Sequence, residues 1–444
     1  MYDLVLKNCR IVNESKTLES DIAIKNNRIE LIGSDINAES SEVIDVNGRY
    51  VIPGLIDDQV HFREPGLTHK GEIATESKAG LAGGVTSYFE MPNVNPTTTT
   101  NENLTKKFEL ASTRSLSNYS FHLGASNTTI EEIIRVDINP AAALKGFMGT
   151  ATGEMLVDSI DALDDIFHYS PLIVVTHCED QKTIVDNEKL FYEKFGNDLS
   201  AEQHHLIRNV ESCYLSSSLA VSLAKKYDSD LHVFHLTTEK EMDLFTSGDV
   251  IGKKITAEVC VHHMHFNKSY YSELGNQIKC NPSIKEESDR LALIKALHEN
   301  KIDIIATDHA PHTWDEKMRD YRDAPAGLPL VQHGLQILMD FYHQDILSLE
   351  TIVEKTSHNV AKRFQVKDRG YVREGYYADL AILDIDKPYT VSEENILYKC
   401  GWSPFSGKTF NSSIYMTIVN GHIAFKDGQV NENIPFGMQI EFDR

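Results

Sequence analysis

Four polar residues, Asp57, Gln59, His61 and Arg63, follow one another at a spacing of two just after the apolar segment 51–56, VIPGLI. If that segment continues as a strand, side chains two apart share a face. A carboxylate, an amide, an imidazole and a guanidinium then project together. Buried polar groups need partners, and a bound metal or anion accounts for such a face better than packing does. Similar residues recur behind later apolar runs: His177 after LIVVT, His235 after LHVF and Asp308 after IDIIAT, with Asn93 behind the run 85–90 and Lys145 inside 144–147. Imidazole and carboxylate ligands without cysteine suit zinc or another hydrolytic metal. Asp308, in TDHAPH beside His309 and His312, is placed both to touch a metal and to move a proton.

Lys145 is an awkward ligand because an ammonium repels a metal ion. Buried near cations its pKa falls and it becomes reactive. Carboxylation by carbon dioxide would turn it into an anionic bridge between metals, and pairing with a local carboxylate is the plainer reading. Arg63 is the natural receptor for a substrate carboxylate, through two parallel hydrogen bonds. Asn93 in EMPNVNP and Asn281 in CNPS are amides held by following prolines, suited to a ligand or to capping a turn. His204, His205, Glu258 and His263 read as structural.

These groups need elements to position them. In the middle of the chain, helix-like stretches at 72–82, 101–113, 158–167, 212–227 and 286–299 alternate with short apolar strands at 85–90, 119–123, 144–147, 172–176, 231–235, 254–259 and 302–307. Such alternation predicts parallel βα units, and this many predict an α/β fold with a closed (β/α)8 TIM-type barrel, whose active-site groups come from the C-terminal ends of different strands. Both chain ends instead show β texture with turn signals at 25–27, 46–48, 420–421 and 427–428. The expected organisation is a hydrolase barrel over 53–371 and a small β-sandwich assembled from 1–52 and 372–444. The charged run 313–325, bounded by Gly327, is expected to form a mobile cover.

Composition narrows the function. A net charge of -23 over 444 residues argues against nucleic-acid and anionic-membrane partners. No apolar run approaches the ~20 residues that span a bilayer. The six cysteines are scattered without a CxxC pair, which excludes a disulfide framework. The N-terminal segment lacks a basic stretch followed by an apolar one, so a cytoplasmic location is expected.

PGLIDDQVHFREPG, GGVTSYFEMPNVNP, LKGFMGTATGEMLV, THCED, LHVFHLTT, TAEVCVHHMHF, NPSIKEESDR, IATDHAPHTWDEK, RGYVREGYYADLAILD and SPFSGKTF occur in this order over nearly the whole chain. This pattern resembles the dihydroorotase–hydantoinase branch of the amidohydrolase superfamily, the dihydroorotases most closely. The resemblance implies a metal-dependent cyclic amide hydrolase that interconverts L-dihydroorotate and N-carbamoyl-L-aspartate in pyrimidine (UMP) biosynthesis, by a metal-activated hydroxide with Asp308 as proton shuttle. It carries His61, Lys145, His177, His235 and Asp308 over as metal-site positions for one or two zinc ions, with Lys145 N6-carboxylated as in hydantoinase-like members. Arg63, Asn93, Asn281 and His312 match substrate contacts, and Ala326 and Gly327 match a loop that meets the substrate through its backbone. A homodimer and an aspartate carbamoyltransferase partner are family-level expectations. The departure is Gln59, where the family has the first histidine of a histidine-x-histidine pair. A neutral amide oxygen is a weaker zinc ligand, so the metal position beside it is expected to be weak. The rival readings are a related cyclic amidase (hydantoinase, dihydropyrimidinase or allantoinase) and a catalytically impaired scaffold.

Overall fold

The computed structural model describes residues 1–37, 39–149 and 155–444. Residues 150–154 of the LKGFMGTATGEMLV motif lie outside the described residues. The N-terminal strands are β1 (Tyr2–Asn13), β2 (Lys16–Lys25), β3 (Arg28–Gly33), β4 (Ser40–Asp45) and β5 (Tyr50–Pro53). Eight more follow: β6 (Leu55–Val60), β7 (Val85–Glu90), β8 (Asn118–Gly124), β9 (Ala141–Phe147), β10 (Val174–His177), β11 (Leu231–Val233), β12 (Ile255–Cys260) and β13 (Ile304–Ala306). These eight pair in chain order, all parallel, as successive βα units require. The two edges meet where the His61 amide donates to the His309 carbonyl (2.7 Å), making the predicted barrel.

The chain ends combine as expected. β14 (Leu380–Asp384), β15 (Tyr389–Thr390), β16 (Thr409–Phe410), β17 (Ser413–Val419), β18 (His422–Lys426) and β19 (Gln429–Val430) follow the barrel. One sheet runs β19-β18-β17-β14-β5-β1-β2-β3, with β4 on β1, and β5 joins the two halves by pairing with β1 and β14. Its hairpins turn at Asn26-Asn27, Asn420-Gly421 and Asp427-Gly428, each with both residues at positive φ, the conformation that matches the twist of paired strands.

The last residues leave the sheet and close the barrel floor. Ile440 and Phe442 pack with Ile56, Phe89, Val175 and Phe234 inside the barrel. The Ile440 amide donates to Tyr119 O and the Lys367 amide to Glu441 O. Among the described residues no helix is long and apolar enough to cross a membrane.

Candidate active site

The cleft at the C-terminal rim of the barrel has a volume of about 520 Å³ and is lined by Gln59 and by every residue expected to contact metal or substrate, but not by Asp57. His61, Arg63 and Asn93 come from the ends of β6 and β7, Lys145 and His177 from β9 and β10, and His235 and Asp308 from the turns after β11 and β13. Asn281, His312, Ala326 and Gly327 close the remaining wall. Strands β11 and β13 are shorter than the predicted 231–235 and 302–307. His235 and Asp308 turn into left-handed backbone, at φ 38° and 47°, and Arg63 does so at 68°. Such conformations cost of order 1–3 kcal/mol in a residue with a side chain and cluster at functional sites.

Two pairs of ligand atoms converge in the cleft. His61 donates from Nδ1 to Asn93 Oδ1 (2.8 Å), which turns the Nε2 lone pair toward Asp308 Oδ1 at 3.1 Å. His177 donates from Nε2 to Glu179 Oε2 (2.9 Å), which leaves Nδ1 facing His235 Nε2 at 3.0 Å. Burial lowers the pKa of all three imidazoles, His235 most, so they face the cleft as neutral ligands. Lone pairs crowded at these separations repel unless a cation or a shared proton lies among them. The donor set therefore fits a metal.

Lys145 is buried, with Nζ over the rings of Phe234 (4.2 Å) and Phe147 (4.7 Å). Burial brings its pKa down to about 7, against the opposing pull of Asp308 and Glu258. A substantial neutral fraction at physiological pH is what reaction with carbon dioxide requires. Gln59 lines the cleft, but its Oε1 lies 3.5 Å from Cys260 Sγ.

The opposite wall is basic. Arg63 is buried, donates from Nε to Pro311 O (3.0 Å), and has Nη2 3.1 Å from His312 Nε2. Burial brings the guanidinium down to about 10, which leaves it charged at neutral pH. Lys70 Nζ lies 3.1 Å from His312 Nδ1. Burial, then Arg63 and Lys70, hold His312 neutral. Asn281 Oδ1 is buried with no hydrogen-bond partner among the described residues, an acceptor that a ligand would satisfy. The Gly327 amide is spent on Lys279 O (2.9 Å), and Ala326 O accepts from His312 (2.9 Å). A backbone contact from either residue to a ligand competes with those bonds.

Two expectations change. Asp57 does not share the His61 face: β6 shifts register between Asp57 and Val60, and the Asp57 carboxylate turns away to accept from the Thr307 hydroxyl at 2.6 Å. The bulge resets the alternation of side chains. The 313–325 segment is not a loose cover. It contains the helix Trp314–Lys317, and two buried lysines pin it, Lys317 to Lys279 O and Pro325 O, and Lys279 to Tyr321 O and Ala324 O. Two contributors also went unread. Glu179, two residues past His177 in THCED, orients that histidine and is itself gripped by Arg208 at 2.6 Å. Burial alone would raise its pKa, but Arg208 and His177 hold it below the usual carboxylate range. Lys70, seven residues past Arg63, adds the second positive charge.

Comparison with known proteins agrees with this geometry. The profile of the Amidohydrolase family matches residues 50–424. A dihydroorotase of Fusobacterium nucleatum is 32% identical over 430 residues, covering 96% of this chain and 99% of its own. An allantoinase of Desulfitobacterium hafniense is 28% identical, covering 97% and 96%. The solved structure of an L-hydantoinase (dihydropyrimidinase) from Arthrobacter aurescens superposes with a TM-score of 0.94 at 25% identity, covering 99% of this chain and 100% of that one. The chain belongs to the amidohydrolase family, and within it to the hydrolases of cyclic amides.

Proposed function

We propose that the chain is a dihydroorotase, which opens the ring of L-dihydroorotate to N-carbamoyl-L-aspartate and closes it again. The observation that carries this reading is Arg63, a buried guanidinium facing the same cleft as the ligand set. A cyclic amide without a carboxylate gives that charge nothing to pair with, and an unpaired buried charge is costly. Arg63 grips the ring carboxylate, and Asn93, Asn281 and His312 fix its orientation. The ring amide then lies toward His177 and His235.

Lys145, N6-carboxylated, with His177 and His235 would hold one zinc ion, and His61 with Asp308 the weaker second, where Gln59 supplies no imidazole. When bound, zinc supplies Lewis acidity that makes water a nucleophile near neutral pH and polarises the amide carbonyl. Asp308 takes the proton from the water and returns it to the departing ring nitrogen.

The test is turnover of dihydroorotate against dihydrouracil, with metal content measured on the same sample. Dihydroorotate should be hydrolysed and dihydrouracil left nearly untouched, and Arg63→Met should erase the preference. Asp308→Asn should lower kcat by about 10²–10⁴-fold with an unchanged melting temperature. Equal rates on the two rings, or no turnover with zinc saturated, would overturn the reading; hydrolysis of allantoin or hydantoin instead would assign the other branch of the family.

A further inference from the structure

Beneath the cleft lies a second group of ligand-type side chains. Asp58 on β6, His232 on β11 and Glu258 on β12 are all fully buried, and their ligand atoms lie within 4.8 Å of one another. His232 Nε2 is 3.6 Å from Asp58 Oδ2 and 3.5 Å from Glu258 Oε2. The tautomer of His232 follows from its other nitrogen. The Thr256 hydroxyl donates to Leu231 O (3.3 Å), so its oxygen accepts the Nδ1–H of His232 at 2.8 Å. Nε2 therefore presents a lone pair to two carboxylates.

The four atoms facing this point, both Asp58 oxygens, His232 Nε2 and Glu258 Oε2, receive no hydrogen bond from any other group among the described residues, and the Asp58 and Glu258 carboxylates lie close enough to share a proton. The nearby cations are engaged elsewhere: Lys145 lies over two phenyl rings, and Arg363 is bonded to Asp230 and to the carbonyls of Leu231 and Lys254. The surroundings are apolar, with Phe234 and Phe364 edge-on to His232 at 5.4 and 5.8 Å. Converging lone pairs between apolar walls need a positive centre.

We propose that Asp58, His232 and Glu258 form a buried site for a divalent transition-metal ion such as zinc or manganese, separate from the metal positions of the cleft. An imidazole and two carboxylates match the ligand preferences of these ions. An ion ~2.0–2.2 Å from each ligand atom sets those atoms about as far apart as they are here. The Nδ1–H of His232 on Thr256 is the outer hydrogen bond that fixes a metal-bound imidazole. The site also touches the cleft floor, since Glu258 Oε1 accepts from the His235 amide (3.3 Å) and from Cys260 Sγ (3.5 Å).

The test uses the full chain crystallised with zinc or manganese added. Anomalous diffraction at the metal edge should show a peak enclosed by Asp58, His232 and Glu258, distinct from any peak at His177 and His235. Metal analysis should find that Asp58→Asn loses one equivalent per chain that His177→Asn retains. No anomalous density at this cluster overturns the proposal, and so does an unchanged metal content in folded Asp58→Asn, because the carboxylates then share a proton instead. The crystallographic arm decides the matter even if the variants fail to fold. The ion is compatible with any ring specificity, so failure of the dihydroorotate assay leaves this site standing.

Discussion

Glu179 shows how much of a candidate metal centre lies outside the residues that would hold the ion. Its carboxylate receives the Nε2–H of His177 and thereby aims the other imidazole nitrogen into the cleft. Glu179→Gln can present its amide nitrogen instead and unsettle that tautomer. We expect metal affinity to fall by about 10–100-fold, read by chelator competition, with the fold intact. At Gln59 the expected change is the reverse: Gln59→His should raise metal occupancy and keep turnover. Unchanged stoichiometry and affinity there would mean that residue 59 stays turned toward Cys260. The strand-end residues that line the cleft were legible in sequence because an apolar run followed abruptly by histidine or aspartate has few packing explanations. Asp57 was misread because a bulge in β6 leaves no mark in an alternating pattern.

Among the elements, the segment after β6 and the one after β7 form a single unit. Gly66 sits at φ +82°, and a Cβ there would meet Asn95 O at 2.0 Å, so backbone packs directly on backbone. Gly66→Ala must separate the two segments, which carry Arg63 and Asn93. Misplacement of binding groups by about 1 Å can cost 10²-fold, so kcat/KM should fall by up to about that factor, and the melting temperature should drop with it. Wild-type kinetics in this variant would show that the two segments position substrate independently. The hairpins of the small sheet were readable because Asn-Gly and Asp-Gly pairs tolerate positive φ. Two long helices were not. Gln181–Phe195 fully buries only Ile184, with Phe191, Tyr192 and Phe195 partly buried against the core, and Gly334–His343 is buried nearly all round.

On the scale of the molecule, the buried imidazoles dictate how the protein answers to acid. Burial holds His122, His263 and His333 down at about 3, 4 and 3, and it lowers His204, His232 and His262 further. An unfolded histidine titrates near 6.5, so below that pH the unfolded chain binds more protons than the folded one and stability falls. Asp57 and Glu90, raised by burial to about 7, and Asp58 and Glu258, raised well above the usual carboxylate range, act in the opposite sense as pH falls. The histidines are the larger set. The denaturation midpoint followed by circular dichroism should therefore fall from pH 6.5 to 4, and a rise over that interval would refute this account. The sheet built from both ends also governs the order of events at the ribosome. β5 emerges with β1 available on one side, while its other partner, β14, follows only after every barrel strand has been made. For that interval the nascent chain carries an unpaired strand edge, which is a template for aggregation. Long-range pairing of this kind is slow to form. Recombinant yield should therefore depend on elongation rate and on chaperones that shield the N-terminal strands.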